Sequence, residues 1–277
     1  MNNAAISKNV EVMGVSTNYH DVGSGPTVVL LHGSAPGVSA WSNWHAAIPV
    51  LSRRFRVVAP DIPGFGYTAR PAGAQYDMKY WVAHFIAFLD ALHIDRAALV
   101  GNSFGGGLAL STCLAAPARV SALALMGSGG VSFEATEGLI ASWGYTPSES
   151  NLRALFMKFV YDPAIVTDEL VSSRYGASIE PGALDVFDQL MPPEKRVPGV
   201  QVPGIPSTVL QTIDKETLII HGREDRVVPL ANSITLHQCI SRSQLHVFGR
   251  CGHWAQTEHR DRFHRLLEDF LSEQLGA

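Results

Sequence analysis

Cysteine is scarce in this chain. Three occur in 277 residues, Cys113, Cys239 and Cys251, an odd number without the short spacings that hold a metal. They read as reduced thiols, which argues against a disulfide scaffold and for a cytoplasmic protein. Cys251 lies two residues from His253, which makes a redox role conceivable, but plain packing is the favoured reading. Charged residues are few, at 17%, and the net charge is −4. That offers nothing to nucleic acid or to an acidic membrane. No run reaches the ~18 apolar residues of a membrane-spanning helix. The opening Met1-Asn2-Asn3-Ala4-Ala5-Ile6 has neither the basic nor the apolar region of a secretion signal. Internal repeats and low-complexity stretches are missing too. The histidines lack H-E-x-x-H or comparable ligand spacing, so no metal and no cofactor is expected.

What is present is an alternation of strands and helices. The 46% hydrophobic content supports a sizeable core. Short β-rich runs occur at 10–12, 15–19, 27–31, 56–59, 97–100 and 122–126. Between them, residues 79–92 place Trp81, Val82, Phe85, Ile86, Leu89 and Leu92 at helical spacing. Continuous apolar runs such as Val28-Val29-Leu30-Leu31 fit strands covered on both faces, hence a mostly parallel sheet.

The rhythm breaks after Met126. Residues 131–213 read as helices at 137–143, 149–159, 168–178 and 181–190, followed by a Pro-rich linker at 192–206. Strands and helices resume at 217–220, 230–239, 245–248 and 260–273. The expectation is one α/β core, 1–130 and 214–277, with a helical cap (131–213) inserted over the sheet's C-terminal edge, where such folds bind ligands. A second independent domain is the alternative.

Gly101-Asn102-Ser103-Phe104-Gly105 carries the chemistry. It is G-x-S-x-G between a buried strand and a helix, the pattern of a nucleophile elbow, in which the serine sits on a strained turn that only glycines allow to pack closely. A serine nucleophile needs a base and an acid that orients it, in the chain order Ser, Asp, His. Asp225 follows the strand at 217–220 and is preferred over its neighbour Glu224. His253 is the one of 11 histidines that follows the acid in a Gly-flanked loop after the last strand. The oxyanion needs two backbone donors, assigned to Phe104 N–H and Ser34 N–H. For Ser34 only the backbone is implicated, the bland alternative being a solvent-facing loop residue whose side chain does nothing, and His32 is expected to be a structural hydrogen-bonding residue beneath the loop.

With Leu31-His32-Gly33-Ser34-Ala35-Pro36-Gly37-Val38-Ser39-Ala40-Trp41-Ser42-Asn43-Trp44, Val166-Thr167-Asp168-Glu169-Leu170, Arg174-Tyr175 and Gly252-His253-Trp254 added, the chain resembles the α/β-hydrolase superfamily over nearly its whole length. More narrowly it is similar to the meta-cleavage product hydrolases, including 2-hydroxymuconate-semialdehyde hydrolases and alkylbenzene-pathway relatives. The resemblance implies an α/β-hydrolase fold with an eight-stranded, mostly parallel sheet. It implies hydrolysis of the C5–C6 bond of a 2-hydroxy-6-oxohexa-2,4-dienoate to 2-hydroxypenta-2,4-dienoate and a carboxylic acid, by acyl-enzyme or gem-diol. It also implies Arg174, Asn43, Asn102 and Trp254 as the dienoate-binding set, and a homo-oligomer, dimeric or of larger even number.

Two positions depart from the family pattern. Ala35 stands where relatives often carry Gly and is expected to restrict the oxyanion loop. Gly129 falls near the acyl-side pocket and either widens it or relaxes a turn. Met157, Phe159, Met191 and Val227 are candidate pocket liners. The rival within enzymes is a carboxylesterase or lactonase with the same triad, and Arg174, Asn43 and Asn102 discriminate against it. A haloalkane dehalogenase would need Asp in place of Ser103. The rival outside enzymes is a receptor-like binder on the same scaffold.

Overall fold

A computed structural model describes residues 3–276. The strands are β1 (Lys8–Val12), β2 (Val15–Val22), β3 (Thr27–Leu31), β4 (Arg56–Pro60), β5 (Ala97–Asn102), β6 (Val120–Met126), β7 (Phe133–Glu134), β8 (Gln201–Val202), β9 (Thr217–Gly222) and β10 (Ser243–Phe248). Eight of them form one sheet in the order β1-β2-β4-β3-β5-β6-β9-β10. β1 and β2 pair antiparallel, as do β2 and β4; every other pairing in the sheet is parallel. All the expected strands are present, most of them a residue or two longer than their apolar runs.

The core-forming helices are α1 (Ala40–Trp44), α2 (Ile48–Leu51), α3 (Met78–Ala91) and α4 (Phe104–Ala115). The segment after β6 adds α5 (Glu137–Trp143), α6 (Glu149–Phe159), α7 (Asp168–Ser178), α8 (Asp185–Leu190) and α9 (Ser207–Leu210). The chain ends with α10 (Leu230–Cys239), α11 (Ala255–Glu258) and α12 (Arg260–Leu275). Three helices after β6 begin where the sequence puts them because each has a side-chain cap. Thr136, Ser148 and Thr167 accept from Leu139 N, Asn151 N and Leu170 N. The stretch 181–190 is helical only from Asp185, because Gly182 takes φ +72° and turns the chain first.

The sheet has two apolar faces, set by strand alternation. Val28, Leu30, Ala98, Val100, Ala122 and Ala124 join Trp44, Phe55, Phe263 and Leu267 on one side. Val29, Leu31, Leu99, Leu123 and Leu125 join Trp81, Phe85, Leu108 and Leu236 on the other. The second cluster runs on into Leu139, Leu152, Phe156 and Val171 of the 131–213 segment. The supposed linker at 192–206 is more ordered than its prolines imply. β8 lies in it and pairs antiparallel with β7, Phe133 opposite Val202, so the two ends of the helical segment are tied together. Among the described residues, no helix is long and apolar enough to cross a membrane.

Register decides where the chemistry collects. Leu31 lies opposite Gly101, Asn102 opposite Met126, Met126 opposite Ile220, and Phe248 opposite Gly222. The loops after β3, β5, β6, β9 and β10 therefore leave one edge of the sheet side by side. The chain order reverses between β3 and β5, which makes that edge the crevice of an open α/β sheet.

Candidate active site

Ser103 follows β5 directly and opens α4 with φ +55° and ψ −115°. A non-glycine residue in that region costs roughly 1–3 kcal/mol, which the surrounding packing must offset. The flanking glycines make it possible. A Cβ on Gly101 would come within 2.5 Å of Gly105 O, and one on Gly105 within 2.4 Å of Leu31 O. The strained elbow read from the sequence is what the chain forms.

His253 Nδ1 lies 2.7 Å from Asp225 Oδ2. Since the carboxylate only accepts, Nδ1 carries the proton and Nε2 is left with its lone pair. The Asp225 side chain is buried, and its other oxygen accepts from Val227 N at 2.7 Å and Val228 N at 3.0 Å. Burial pushes the Asp225 carboxyl up, but the charge and hydrogen bond of His253, with His221 and Val228 N–H, hold it below its ordinary value. Glu224 points elsewhere: it accepts from Cys251 N at 3.0 Å and pairs with Arg223. The histidine is clamped from the helical segment, with His253 N donating to Phe159 O at 2.6 Å. Glu258 reinforces this clamp, accepting from Gly252 N at 2.7 Å and from Tyr161 N at 2.7 Å. Ser103 and His253 line one cavity but are not hydrogen-bonded to each other here.

Two cavities meet at Ser103. The polar one, about 80 Å³, is lined by Asn43, Asn102, Arg174, His253, Trp254 and Gln256. The apolar one, about 310 Å³, is lined by Phe104, Gly129, Leu139, Trp143, Leu190 and Val228. Ser34 and Ser103 border both.

The alpha/beta hydrolase fold family matches residues 26–153 and 204–260. A 2-hydroxy-6-oxo-2,4-heptadienoate hydrolase of Pseudomonas putida strain F1 is 52% identical over 98% of each chain. A 2-hydroxymuconate semialdehyde hydrolase of Pseudomonas sp. strain CF600 is 50% identical, covering 100% of this chain and 97% of its own. This chain belongs to the α/β hydrolases, and among them to the meta-cleavage product hydrolases. A solved meta-cleavage product hydrolase from Pseudomonas fluorescens IP01, a serine-to-alanine mutant complexed with acetates, superposes with a TM-score of 0.93. It is 50% identical, over 98% of this chain and 99% of its own.

In this hydrolase Arg174 is buried on α7. Its Nε donates to Pro36 O at 3.2 Å and its Nη1 to Ser42 Oγ at 3.1 Å, while Nη2 has no partner among the described residues. Burial lowers the guanidinium to about 10. Asn43 Oδ1 is 3.4 Å from Gly33 N, and its Nδ2 is likewise unpartnered. Asn102 Nδ2 donates to Met126 O at 3.2 Å. Trp254 packs on Phe156 and Phe159, ring centroids 5.0 and 5.3 Å away. All four expected binding residues reach one cavity.

Several expectations need correction. The Ser34 side chain is not idle: it is buried and accepts the indole N–H of Trp143 at 3.2 Å. Ala35 lies outside the left-handed region and its methyl packs in the core. Met157 is exposed and Met191 packs in the core without bordering either cavity, whereas Phe159 and Val227 do line the polar one. His32 does lie beneath the loop, with Nε2 accepting from Ile62 N at 2.9 Å and Nδ1–H donating to Gly33 O at 2.7 Å. Cys251 is buried, and burial with nearby carboxylates pushes its thiol well up, so it is no thiolate nucleophile. Trp143, Gln256 and Glu258 carry no motif signal in the sequence; Trp143 ends the helix read at 137–143, and Gln256 and Glu258 follow within five residues of His253.

Proposed function

We propose that this hydrolase cleaves the C5–C6 carbon–carbon bond of 2-hydroxy-6-oxohexa-2,4-dienoate-type products of aromatic ring cleavage, such as 2-hydroxymuconate semialdehyde and its 6-alkyl analogues. The products are 2-hydroxypenta-2,4-dienoate and a carboxylic acid. One observation carries the reading: a cation-bearing polar cavity and a larger apolar cavity meet at Ser103. Such a dienoate has the same two ends, an anionic head at C1–C2 and a carbonyl with its substituent at C6. The relatives named for such substrates, about half identical over full length, support it.

Arg174 and Asn43 hold the carboxylate, the guanidinium by its unpaired Nη2, with Asn102 and Trp254 completing the wall. The bound dienol converts to its keto form, so that C5 gains a proton and becomes a leaving group. Ser103 gives its proton to His253 Nε2 and attacks C6, while Asp225 holds the imidazole in the tautomer that accepts it. Phe104 N–H, at the start of α4, and Ser34 N–H hold the oxyanion. Collapse breaks C5–C6, and a water activated by His253 hydrolyses the acyl-enzyme. Residues 131–213 act as a cap that closes both cavities over the sheet edge. The three cysteines, read as reduced thiols, support a cytoplasmic address, and the resemblance supports an even homo-oligomer.

The test is the loss of visible absorbance of yellow dienolates bearing hydrogen, methyl, isopropyl or phenyl at C6. Rapid bleaching by wild type but not by Ser103→Ala is expected. Brisk p-nitrophenyl ester hydrolysis with no bleaching of any dienolate would make the protein an esterase instead.

A further inference from the structure

Three buried side-chain atoms around the polar cavity have no hydrogen-bond partner among the described residues: Arg174 Nη2, Asn43 Nδ2 and Gln256 Oε1. Leaving such groups unpaired costs free energy, so a ligand that fits must present complements to all three. Two are donors and one is an acceptor. A carboxylate answers the donors. It cannot answer Gln256, because two oxygens with partial negative charge repel. The ligand head must therefore carry an anionic or carbonyl oxygen and a hydroxyl hydrogen side by side.

We infer that Gln256 is a specificity-determining residue whose side-chain oxygen accepts a hydrogen bond from the substrate's 2-hydroxyl. The inference rests on the dienoate reading above. Gln256 is 6% exposed and sits on α11, two residues after Trp254 and three after His253, and it lines the same cavity as both. The 2-hydroxyl is the only donor on a 2-hydroxy-6-oxo-dienoate whose carboxyl is ionised. A simple ester or lactone group has no donor, and would leave Oε1 unpaired.

The contact has a chemical consequence. The amide accepts from O–H but gains nothing from O⁻, so Gln256 favours the neutral dienol. The Arg174 guanidinium favours the dienolate. Their balance sets how readily the bound 2-hydroxyl loses its proton. That loss begins ketonisation, in which one proton moves in net terms from the 2-hydroxyl to C5: the O–H bond breaks, C2=O forms, the C2=C3 and C4=C5 double bonds become C3=C4, and a C5–H bond forms.

The experiment uses full-length Ser103→Ala, which binds without cleaving. The absorbance of bound 2-hydroxy-6-oxohepta-2,4-dienoate is titrated with pH. Adding Gln256→Met is expected to lower the apparent pKa of the bound hydroxyl by about one unit, and Gln256→Glu to raise it. Below that apparent pKa, where the bound hydroxyl keeps its proton, the hydroxyl-bearing ligand should bind roughly tenfold more weakly to the Met variant, whereas 6-oxohepta-2,4-dienoate, which lacks the hydroxyl, should bind both proteins within about twofold. Unchanged titrations in both variants, or an equal loss for both ligands, would overturn the role of Gln256 while leaving the dienoate reading intact. If Ser103→Ala binds none of these dienoates, both readings fall.

Discussion

Trp143 on α5 donates its indole N–H to Ser34 Oγ at 3.2 Å, joining the helical segment to the loop proposed to hold the oxyanion. Indole nitrogen is donor only, so Ser34 accepts there and its own hydroxyl hydrogen is free for another partner. Ser34 borders both cavities, so a shift in this loop moves a wall of each. Trp143→Phe keeps most of the ring volume and removes the hydrogen bond. It is expected to lower stability by about 1 kcal/mol and kcat several-fold. Thermal unfolding and steady-state bleaching kinetics check both; an unchanged kcat would show that the loop holds its position without the link.

The coupling of Asp225 to His253 predicts a steep loss of activity on amide substitution. Asp225→Asn presents an amide that can favour the wrong imidazole tautomer, a change that costs about 10⁴-fold in serine proteases with a Ser-His-Asp triad of the kind proposed here. It also carries a pH signature. The carboxyl is held below its ordinary value, so its contribution to stability is present above about pH 4 and is lost as pH falls through the folded value. Unfolding curves of wild type and Asp225→Asn should converge at low pH.

Arg174 separates the carbon–carbon hydrolase from an esterase. Arg174→Met fills similar space without charge and leaves Pro36 O and Ser42 Oγ without their donor. Expected is a fall in kcat/KM for dienoates of about 100-fold, with p-nitrophenyl acetate turnover within a few-fold of wild type. Equal losses on both substrates would mean that Arg174 matters only for folding.

Gly129 has room for a side chain. A Cβ there would meet Ser103 O at 3.7 Å, an ordinary contact, and its φ is negative or extended rather than left-handed. The branches of Gly129→Val would then enter the apolar cavity. The preference among C6 substituents should shift from phenyl and isopropyl toward methyl and hydrogen, read as the ratio of kcat/KM values across the dienolate panel.

His32 makes the fold sensitive to mild acid. Burial, opposed by its bond to Gly33 and aided by the Arg174 charge, lowers it to about 4. The folded imidazole stays neutral while the unfolded one protonates near 6.5. Its contribution is complete above that pH and is lost as pH falls toward 4, up to about 3 kcal/mol. Asp61, raised to about 6 by burial, acts in the opposite sense between about pH 4 and 6. The informative quantity is therefore the difference between wild type and His32→Gln, whose melting temperatures should draw together from pH 7 to pH 5.

The strands, most helices and the proposed trio of Ser103, Asp225 and His253 were legible in the sequence because each leaves a local mark. Buried strands are apolar runs, Thr136, Ser148 and Thr167 announce helix starts, and the elbow needs two glycines around Ser103. β8 was not legible: a two-residue strand among prolines exists only because β7 lies beside it. Helix α8 was over-extended because the turn at Gly182 has no apolar signature.

Local chemistry, then, was determined by the sequence alone: which serine is strained into an elbow, which histidine and aspartate follow strands, and which family the chain joins. Tertiary structure decided what those residues face. Asp225 prevails over Glu224 because β9 and β10 lie in register. Ser34 gains a partner because α5 folds back onto it. Arg174, 131 residues beyond Asn43 in a chain numbered from Met1, shares a cavity with it because the helical segment returns to the sheet edge. Hydrogen bonds and burial depend on distance in space, and residues far apart in sequence acquire that distance only when the sheet and the segment above it pack together.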